Sequence, residues 1–352
     1  MKRHTLIIAM TLLSLIMFSV GHVGADEPKV VIKMASIAPK GSNMANIYED
    51  LIKRTYEETN HEVQFKVYWG GVQGDEKDVI RKIKIGQLHG GGIMGPSLGT
   101  IVPQVRVTEL PYVFWSNGEV SYVRSQLESE MDKRFEEKGF IVLGWLDLGF
   151  VYDFSKIPLT SLDIVRKQKW WAIEGDPLVQ EIFDTLEISP ISLSIADVAT
   201  ALSTNLIDCA SSNPFGAVAF QWYTRFKYMT NVPACNILGA TIVTKDIWDK
   251  ISPKSQKIIL DISRTEHERI VAAVRQDDAK SLVLLKKAGI KIIEIDKINS
   301  PDSQYIFEAS KTVRQNLVGK LYSQELLDRT LALVDEYRKN HPGSEFDSII
   351  TQ

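Results

Sequence analysis

Apolar and polar residues alternate along most of this chain with two different periods. Short runs such as 63–69 alternate strictly, which is typical of a half-buried β-strand. Longer runs such as 44–56, which follows Ser42, a capping residue type, repeat apolar side chains at helical spacing. Strand-like and helix-like runs succeed one another through the chain, so the pattern predicts an α/β fold.

The longest helical pattern begins at Ser252 and continues to Gly289. Ser252 is suited to cap this helix, and Pro253 to occupy its first position. No glycine or further proline interrupts the pattern before Gly289. A helix of about 50 Å would be longer than one small domain and could brace two lobes. The alternative is a pair of shorter helices that meet near Asp277.

Two adjacent tryptophans, Trp170 and Trp171, lie in a short apolar run that ends before Gly175 and Pro177. Neighbouring side chains of a strand point to opposite faces, so one indole is expected in a core and the other on a second surface. Ligands of open α/β sheets bind at the carboxyl ends of strands. One indole is therefore a candidate wall of a binding site, the alternative being that both only fill core.

The first 25 residues have a different character from the rest. Lys2 and Arg3 precede an apolar stretch, and Val23-Gly24-Ala25 supplies small residues behind it. This is the pattern of a secretory signal peptide, and the apolar stretch is shorter than the ~20 residues that a membrane-spanning helix needs. We therefore expect cleavage after Ala25 and a mature protein in the periplasm.

Composition excludes several functional classes. The formal net charge is −3 and no basic run occurs, so nothing favours nucleic acid as a partner. The histidines beyond the leader are far from one another in sequence, without the spacing of metal ligands, so we expect no bound metal. No nucleophile–base pair is visible, so we expect no cofactor and no enzymatic activity. The run Gly90–Gly92 lacks the spacing of phosphate-binding loops and predicts close backbone packing. Cys209 and Cys235 are either a disulfide of an oxidising compartment or two small buried hydrophobes.

Several short motifs follow one another along the chain in a fixed order. They are Gly74-Asp75-Glu76, Gly86-Gln87-Leu88, Leu110–Phe114, Ser161-Leu162-Asp163, the unit from Ala201 to Asp208, Asn213-Pro214 and Trp248–Ser252. In this order the chain resembles the solute-binding proteins of tripartite ATP-independent periplasmic (TRAP) transporters over nearly its whole mature length. The resemblance implies a two-lobed periplasmic binding protein fold, with crossing strands and a long helix spanning both lobes, that closes on a small-molecule ligand. It also implies small and large TRAP membrane subunits as partners.

The resemblance suggests where the lobes divide. We expect lobe I to comprise residues 26–148 and 236–276. Lobe II would comprise residues 149–235 and 277–352, including the C-terminal helices. The segments near 147–149 and 233–236 are then the candidate hinges.

The chain departs from the family pattern in the expected cleft. Members that bind carboxylates carry Lys-hydrophobic-Arg where this chain reads Lys169-Trp170-Trp171. Trp171 therefore replaces an arginine that would hold a carboxylate with two parallel hydrogen bonds. A second basic position, in the strand after Gly149, reads Phe150-Val151-Tyr152, and an acidic position reads Met94. The resemblance is therefore to the branch that lacks the arginine, for which a hydrophobic ligand and a tetratricopeptide-repeat partner are expected.

These comparisons predict a site with apolar walls and a few polar contacts. The expected walls are Trp171, Trp69, Met94, Tyr152 and Phe215, and the expected polar contacts are Asn213, Glu174 and Asp75. Asn213 also occupies a helix N-cap position, so local capping is the alternative role for its side chain. Two other functions stay open: a receptor for an organic acid bound through Arg166 or Lys169, and a ligand sensor or scaffold outside transport.

Overall fold

The computed structural model describes residues 28–295 and 300–342, so the expected leader and its cleavage site lie outside the described residues. The first part of the described chain alternates strands and helices, as its hydrophobic pattern predicts. Its elements are β1 (Val30–Ala35), α1 (Asn43–Glu58), β2 (Val63–Tyr68), α2 (Glu76–Lys84), β3 (Gly90–Met94), α3 (Gly95–Gly99), the 3₁₀ helix Pro103–Glu109 and α4 (Asn117–Glu137).

A second group of elements follows the long strand β4 (Phe140–Ser155). Its members are α5 (Leu162–Arg166), β5 (Trp171–Ile173), α6 (Pro177–Thr185), β6 (Ile191–Leu193), the 3₁₀ helix Ile195–Asp197, α7 (Val198–Ser203), β7 (Cys209–Ser212), α8 (Pro214–Ala219), the 3₁₀ helix Trp222–Arg225 and β8 (Tyr228–Thr230). The chain then returns through β9 (Cys235–Thr244), α9 (Lys245–Trp248), α10 (Pro253–Lys287), β10 (Lys291–Ile293), α11 (Pro301–Asn316) and α12 (Gln324–Asn340).

The strands β4 and β9 connect the two groups. The path of hydrogen-bonded strands runs β10-β8-β4-β9-β3-β1-β2, with β7 paired to the far half of β4. The β1–β2 and β1–β3 pairs are parallel, whereas β9 is antiparallel to both β3 and β4. β5 and β6 form a separate parallel pair. The predicted α/β fold with crossing strands is therefore confirmed.

The pairing of β4 with β9 shifts register between Asp147 and Phe150. Gly149 lies in this irregular segment with φ +92°, a conformation that residues with a Cβ rarely adopt. A Cβ at Gly149 would also lie 2.0 Å from Oδ2 of Asp278. Both conditions require glycine at the point where the strands cross.

The long helix α10 is unbroken from Pro253 to Lys287, so the alternative of two helices is wrong. Its 35 residues span about 52 Å. Ser252 caps the first turn by accepting from the backbone N–H of Ser255, and Glu62 accepts hydrogen bonds from both serines. α10 packs against α1, β4 and α8, so it contacts both groups of elements.

Apolar side chains form three clusters. One lies around β1, α1 and the first half of α10. The largest contains Trp171 together with residues of α4, β4 and the C-terminal helices. A small cluster contains Trp170, Phe183 and Cys209. The adjacent indoles therefore lie in different clusters, as the alternation of strand side chains predicts.

Backbone packing around β3 is close. A Cβ at Gly90 would lie 2.2 Å from the carbonyl oxygen of Ile242, and one at Gly91 would lie 2.7 Å from that of Ala35. The packing role that the sequence predicts for this glycine run is confirmed. Cys209 and Cys235 are both free thiols.

Candidate functional site

Two adjoining cavities lie where the crossing strands meet β3 on one side and β5, α6 and α8 on the other. The inner cavity has a volume of about 530 Å³ and the outer cavity about 310 Å³. Residues of both groups of elements line them jointly: Ile37, Met94, Pro96, Ile173, Ile195 and Phe220. The inner cavity is within the size range of small-molecule sites.

Three aromatic rings form one wall. Trp171 lies edge-on to Trp222, with 5.4 Å between ring centroids, and Phe220 stacks on Trp222 at the same distance. The Trp171 side chain is nearly buried, and its Nε1 donates to the carbonyl oxygen of Leu193. That bond joins the ends of β5 and β6, so Trp171 both supports the fold and borders the cavity.

Trp170 also borders the inner cavity, although it lies in a different cluster. Its Nε1 donates to the carbonyl oxygen of Val165, and its ring lies 6.0 Å from that of Phe183. The cavity therefore extends around β5 toward α6. Trp170 fills a core, as the sequence predicts, and it also borders the cavity.

A buried ionic cluster lies at one end of the inner cavity. Nη1 of Arg106 donates to Oε2 of Glu109 at 2.5 Å, and its Nη2 donates to Oδ2 of Asp176 at 2.7 Å. The second oxygen of Glu109 accepts from the backbone N–H of Leu238, and that of Asp176 caps α6 through the N–H of Leu178. Burial raises the pKa of Glu109 to about 7, although Arg106 acts in the opposite direction.

The reasoning from sequence missed this cluster. The sequence feature that could have indicated the cluster is the presence of two charged residues, Arg106 and Glu109, within the largely apolar run from Val105 to Leu110. Buried charges are found in proteins when they are paired. Sequence does not show that the partner is Asp176, which lies 70 residues further along the chain.

A polar strip crosses the inner cavity on β4 and its neighbours. Asp153 accepts from the hydroxyl of Ser211 at 2.6 Å, and its backbone N–H donates to Oγ1 of Thr230 at 3.1 Å. Burial raises the pKa of the Asp153 carboxyl. Asn236, on β9, also borders the cavity and is 2% exposed. Within the described chain, neither amide atom of Asn236 has a hydrogen-bond partner.

The outer cavity is lined by exposed charges. Lys77 and Glu174 form an ion pair at 3.1 Å, and Asp75 caps α2 by accepting from the N–H of Asp78. Glu76, which the sequence reasoning did not select, accepts from the backbone N–H of Met94 at 2.9 Å. Burial raises the pKa of Glu76 to about 7.

The structure brings together five of the eight predicted site residues. Trp171, Met94 and Asn213 border the inner cavity, and Met94, Glu174 and Asp75 border the outer one. The Asn213 amide is already engaged, because Oδ1 accepts from the N–H of Gly216 and Nδ2 donates to the carbonyl oxygen of Leu148. Its side chain therefore fulfils the capping role.

Trp69, Tyr152 and Phe215 are not among the residues that line either cavity. Trp69 packs edge-on to Tyr48 in the first core, and its Nε1 donates to Glu49. Val151 and Asp153, the neighbours of Tyr152 on β4, both line the inner cavity. Side chains alternate along a strand, so Tyr152 points away from the cavity, and it is fully buried there. Phe215 is half-buried outside the cavities, and its backbone N–H donates to Asp278.

The two basic residues proposed for an organic acid also lie elsewhere. Nε of Arg166 donates to the carbonyl oxygen of Leu186, and Nζ of Lys169 donates to that of Asn205. Neither residue borders a cavity. Of the described residues that line the inner cavity, Arg106 is the basic one.

Crossing strands, a long helix shared by both groups and a cavity between them define a two-lobed binding protein. Residues 34–321 match the model of the family described as bacterial extracellular solute-binding protein, family 7, and the chain belongs to that family. It is a family of periplasmic transport receptors, so the expectation that the chain is not an enzyme is confirmed.

Individual relatives are distant. A solute-binding protein of Chromohalobacter salexigens is 27% identical over 74% of this chain and 78% of its own length. The ectoine/5-hydroxyectoine-binding periplasmic protein UehA of Ruegeria pomeroyi is 21% identical over 70% of this chain and 74% of its own. A TRAP periplasmic solute binding protein of Pseudomonas putida, with bound D-glucuronate, has a TM-score of 0.77 and 24% identity, covering 86% of this chain and 96% of its own.

These findings bear on two expectations. TRAP solute-binding proteins bind small ligands and work with membrane subunits, and the tetratricopeptide-repeat partner stays a prediction. The expected hydrophobic ligand is contradicted by the structural neighbour, whose D-glucuronate is a hydroxylated acid. The inference from Trp171 considered one wall and overlooked the charged and polar residues that complete the cavity.

Proposed function

We propose that this receptor captures a small molecule in the inner cavity and delivers it to the small and large membrane subunits of a TRAP-type transporter. The observation that supports this is the cavity of about 530 Å³ between the two groups of elements. Apolar surface and a few buried polar groups line it, which is the usual composition of a small-molecule site. Trp171, Met94 and Asn213 are proposed to border the ligand, with Glu174 and Asp75 at the outer cavity.

The ligand is captured by closure of two lobes. Lobe I is residues 26–148 and 236–276, and lobe II is residues 149–235 and 277–352. The register shift between Asp147 and Phe150 supplies an irregular segment at which β4 can bend. The opposite strand begins at Cys235, so both crossing segments lie at the same level of the sheet.

We propose that the protein belongs to the branch of the family without the carboxylate-binding arginine, because Trp171 occupies the position where that arginine is expected. In that branch the cavity needs another way to orient its ligand. The aromatic wall offers stacking surface, and Asp153 and Ser211 offer polar contacts. We infer that the ligand has a flat or ring-bearing body and at least one polar group.

A receptor for an organic acid is the second candidate. It is favoured by the neighbour that holds D-glucuronate. In this chain the acid would have to reach Arg106, whose guanidinium is bound on two sides by Glu109 and Asp176. The ligand would need to displace one of these carboxylates.

Export follows from the leader pattern. Cleavage after Ala25 would release a chain that begins at Asp26. Mass spectrometry of the protein from its native host measures the mature N-terminus. Recovery of an intact segment from Met1 to Ala25 would contradict the proposal.

Small-angle scattering tests capture by closure. The protein is purified, its bound small molecules are removed and identified by mass spectrometry, and scattering is recorded before and after they are returned. Closure predicts a smaller radius of gyration with the ligand. A scattering profile that does not change at saturation would contradict lobe closure.

A further inference from the structure

The outer cavity lies between the two groups of elements, and an ion pair crosses it. Lys77, at the start of α2, belongs to the first group, and Glu174, in the turn between β5 and α6, belongs to the second. Nζ of Lys77 lies 3.1 Å from Oε1 of Glu174. Of the described residues that line this cavity, Lys77 is the basic one. The pair therefore joins the two sides of the cavity.

The partner of Lys77 is not supplied by its own helix. Residues three and four positions apart meet on a helix surface, and for Lys77 these are Ile80 and Arg81. Neither is acidic, and Arg81 itself bonds the carboxylate of Asp78 at 2.6 Å. The ammonium group of Lys77 thus finds its carboxylate on the other side of the cavity.

The turn that carries Glu174 is shaped to admit the lysine. Gly175 has φ +74°, a conformation that residues with a Cβ rarely adopt. A Cβ at Gly175 would lie 3.4 Å from Nζ of Lys77, so the glycine leaves the ammonium group room beside the turn. Both the conformation of the turn and the approach of the lysine are therefore suited to this contact.

The same turn contacts the first group at a second point, which lies against a crossing strand. Asp176 pairs with Arg106, and Glu109 of that buried cluster accepts from the backbone N–H of Leu238 on β9. The cluster lines the inner cavity, whereas the exposed pair lines the outer one. A rotation about the crossing strands moves atoms in proportion to their distance from the axis. Opening should therefore separate the exposed pair before it disturbs the buried cluster.

We propose that Lys77 and Glu174 are positioning residues that form a latch: the pair forms when the outer cavity closes and separates when it opens. This inference rests on the proposed function, because it takes capture to be a rotation of two lobes. An exposed ion pair is weak, so the latch should favour the closed form by up to about fivefold. Its effect should decrease as the salt concentration rises.

Zero-length crosslinking tests the contact directly. A water-soluble carbodiimide activates a carboxyl group, and a lysine amine in contact with it forms an amide while the carbodiimide leaves as a urea. In the full mature protein this reaction should join Lys77 to Glu174, as mass spectrometry of the peptides would show. Lys320 and Glu181 are the internal control, because they also lie 3.1 Å apart but both belong to lobe II. A crosslink at the control pair without one between Lys77 and Glu174 would overturn the inference.

Scattering from the crosslinked protein tests whether the pair belongs to the closed form. Wild type and Glu174→Gln are both treated with the carbodiimide and measured without added small molecules. They share every crosslink except the one at Glu174, so that amide accounts for any difference. We expect a smaller radius of gyration for treated wild type, and an unchanged radius for the treated variant. Equal radii for the two treated proteins would overturn the latch.

A double-mutant cycle separates a latch from direct contact with a bound molecule. The dissociation rate of the molecule recovered from the native protein is measured by stopped-flow tryptophan fluorescence. Lys77→Gln and Glu174→Gln should each raise this rate by about two- to fivefold at low salt, and the double variant by no more than either. Additive effects would show that the two side chains act separately and would overturn the latch.

Glu187→Gln is the matched control for this cycle. Glu187 is 73% exposed, pairs with Arg166 within lobe II and lines neither cavity. Its loss should leave the dissociation rate at the wild-type value, whereas the wild type and the latch variants should converge at high salt. A rate increase in Glu187→Gln equal to that in Glu174→Gln would show a general effect of charge and would overturn the latch.

The outcomes separate this inference from the proposed function. If the recovered molecules compact the protein but the crosslink between Lys77 and Glu174 does not, the latch fails and capture by closure stands. If neither the recovered molecules nor the crosslink changes the scattering profile, lobe closure fails and the latch fails with it.

Discussion

The turn that joins β5 to α6 takes part in two ion pairs that differ sharply. Glu174 pairs with Lys77 in the outer cavity, where the side chains are 59% and 52% exposed. Asp176, two residues later, pairs with Arg106, and these side chains are 1% and 4% exposed. This short segment therefore forms a solvent-exposed ion pair with Lys77 and a buried ion pair with Arg106.

The difference shows which contact the fold depends on. Exposed ion pairs contribute about 0–1 kcal/mol because water screens them. A buried pair that loses one partner leaves an uncompensated charge in a dry environment, which costs about 3–5 kcal/mol. The fold therefore depends on the buried Arg106 cluster at the end of the cavity, whereas the exposed Lys77–Glu174 pair contributes little to stability.

The strongest test of this comparison is Arg106→Met. The substitution leaves Glu109 and Asp176 buried without their cation, and we expect a loss of about 3–5 kcal/mol in the free energy of unfolding at pH 7. The loss should shrink at lower pH, because burial already raises the pKa of Glu109 to about 7 and protonation removes its charge. Urea unfolding at pH 5 and pH 7 measures both effects. A loss below about 1 kcal/mol at pH 7 would place this pair in the same class as Lys77–Glu174.

Asp278 sharpens the comparison, because it is a buried acid that forms no ion pair with any residue that the structure describes. One of its oxygens accepts from the N–H of Phe215, and burial raises its pKa to about 7. The folded protein then holds a proton that the unfolded chain releases above its ordinary pKa near 4. Its contribution to stability should therefore be complete below about pH 4 and decline as pH rises to about 7, by at most about 1.4 kcal/mol per pH unit.

Asp278→Asn should remove this decline. His267, whose pKa burial lowers to about 4, contributes the opposite trend, because its stabilising effect is lost as pH falls below about 6.5. The difference in the free energy of unfolding between the variant and the wild type at each pH gives the contribution of Asp278, because His267 is present in both. Parallel stability profiles from pH 4 to pH 8 would contradict the assignment.

The smallest expected effect belongs to the exposed pair. Lys77→Met should change the free energy of unfolding by about 0–1 kcal/mol, and the change should vanish at high salt. Thermal melts at low and high ionic strength measure it. A loss comparable to that of Arg106→Met would show that exposure does not separate the two pairs.

Local patterns predicted most of the architecture. Ser252, Pro253 and the absence of internal glycine fixed one long helix, and the capped start is what the structure shows. The crossing strands followed from the family resemblance. These features depend on residues close in sequence or on a topology shared by the whole family.

The cavity walls were harder to predict, for a physical reason. β4 is buried on both faces, so its sequence does not alternate in polarity and does not show which residues face the cavity. The register shift near Gly149 adds a second source of error, because one extra residue reverses the faces. The sequence pattern therefore assigns Tyr152 to the cavity, whereas in the structure its neighbour Asp153 lines the cavity.

Trp171 tests the central claim, that the inner cavity is the ligand site. Trp171→Ala removes part of the aromatic wall, and if about half of an indole's area contacts ligand, affinity should fall by about 2–3 kcal/mol, or roughly 30- to 150-fold. Trp170 borders the same cavity, so Trp145 is the better control. It is an equally buried indole whose Nε1 donates to Asp132 and whose ring lies edge-on to Phe135, outside both cavities.

Both substitutions remove a buried indole and should destabilise the protein by about 3–5 kcal/mol. The decisive measurement is calorimetric titration of the molecule recovered from the native protein into both variants, at a temperature where each is folded. The account predicts a large loss of affinity for Trp171→Ala and wild-type affinity for Trp145→Ala. Wild-type affinity in Trp171→Ala would contradict the inner cavity as the ligand site.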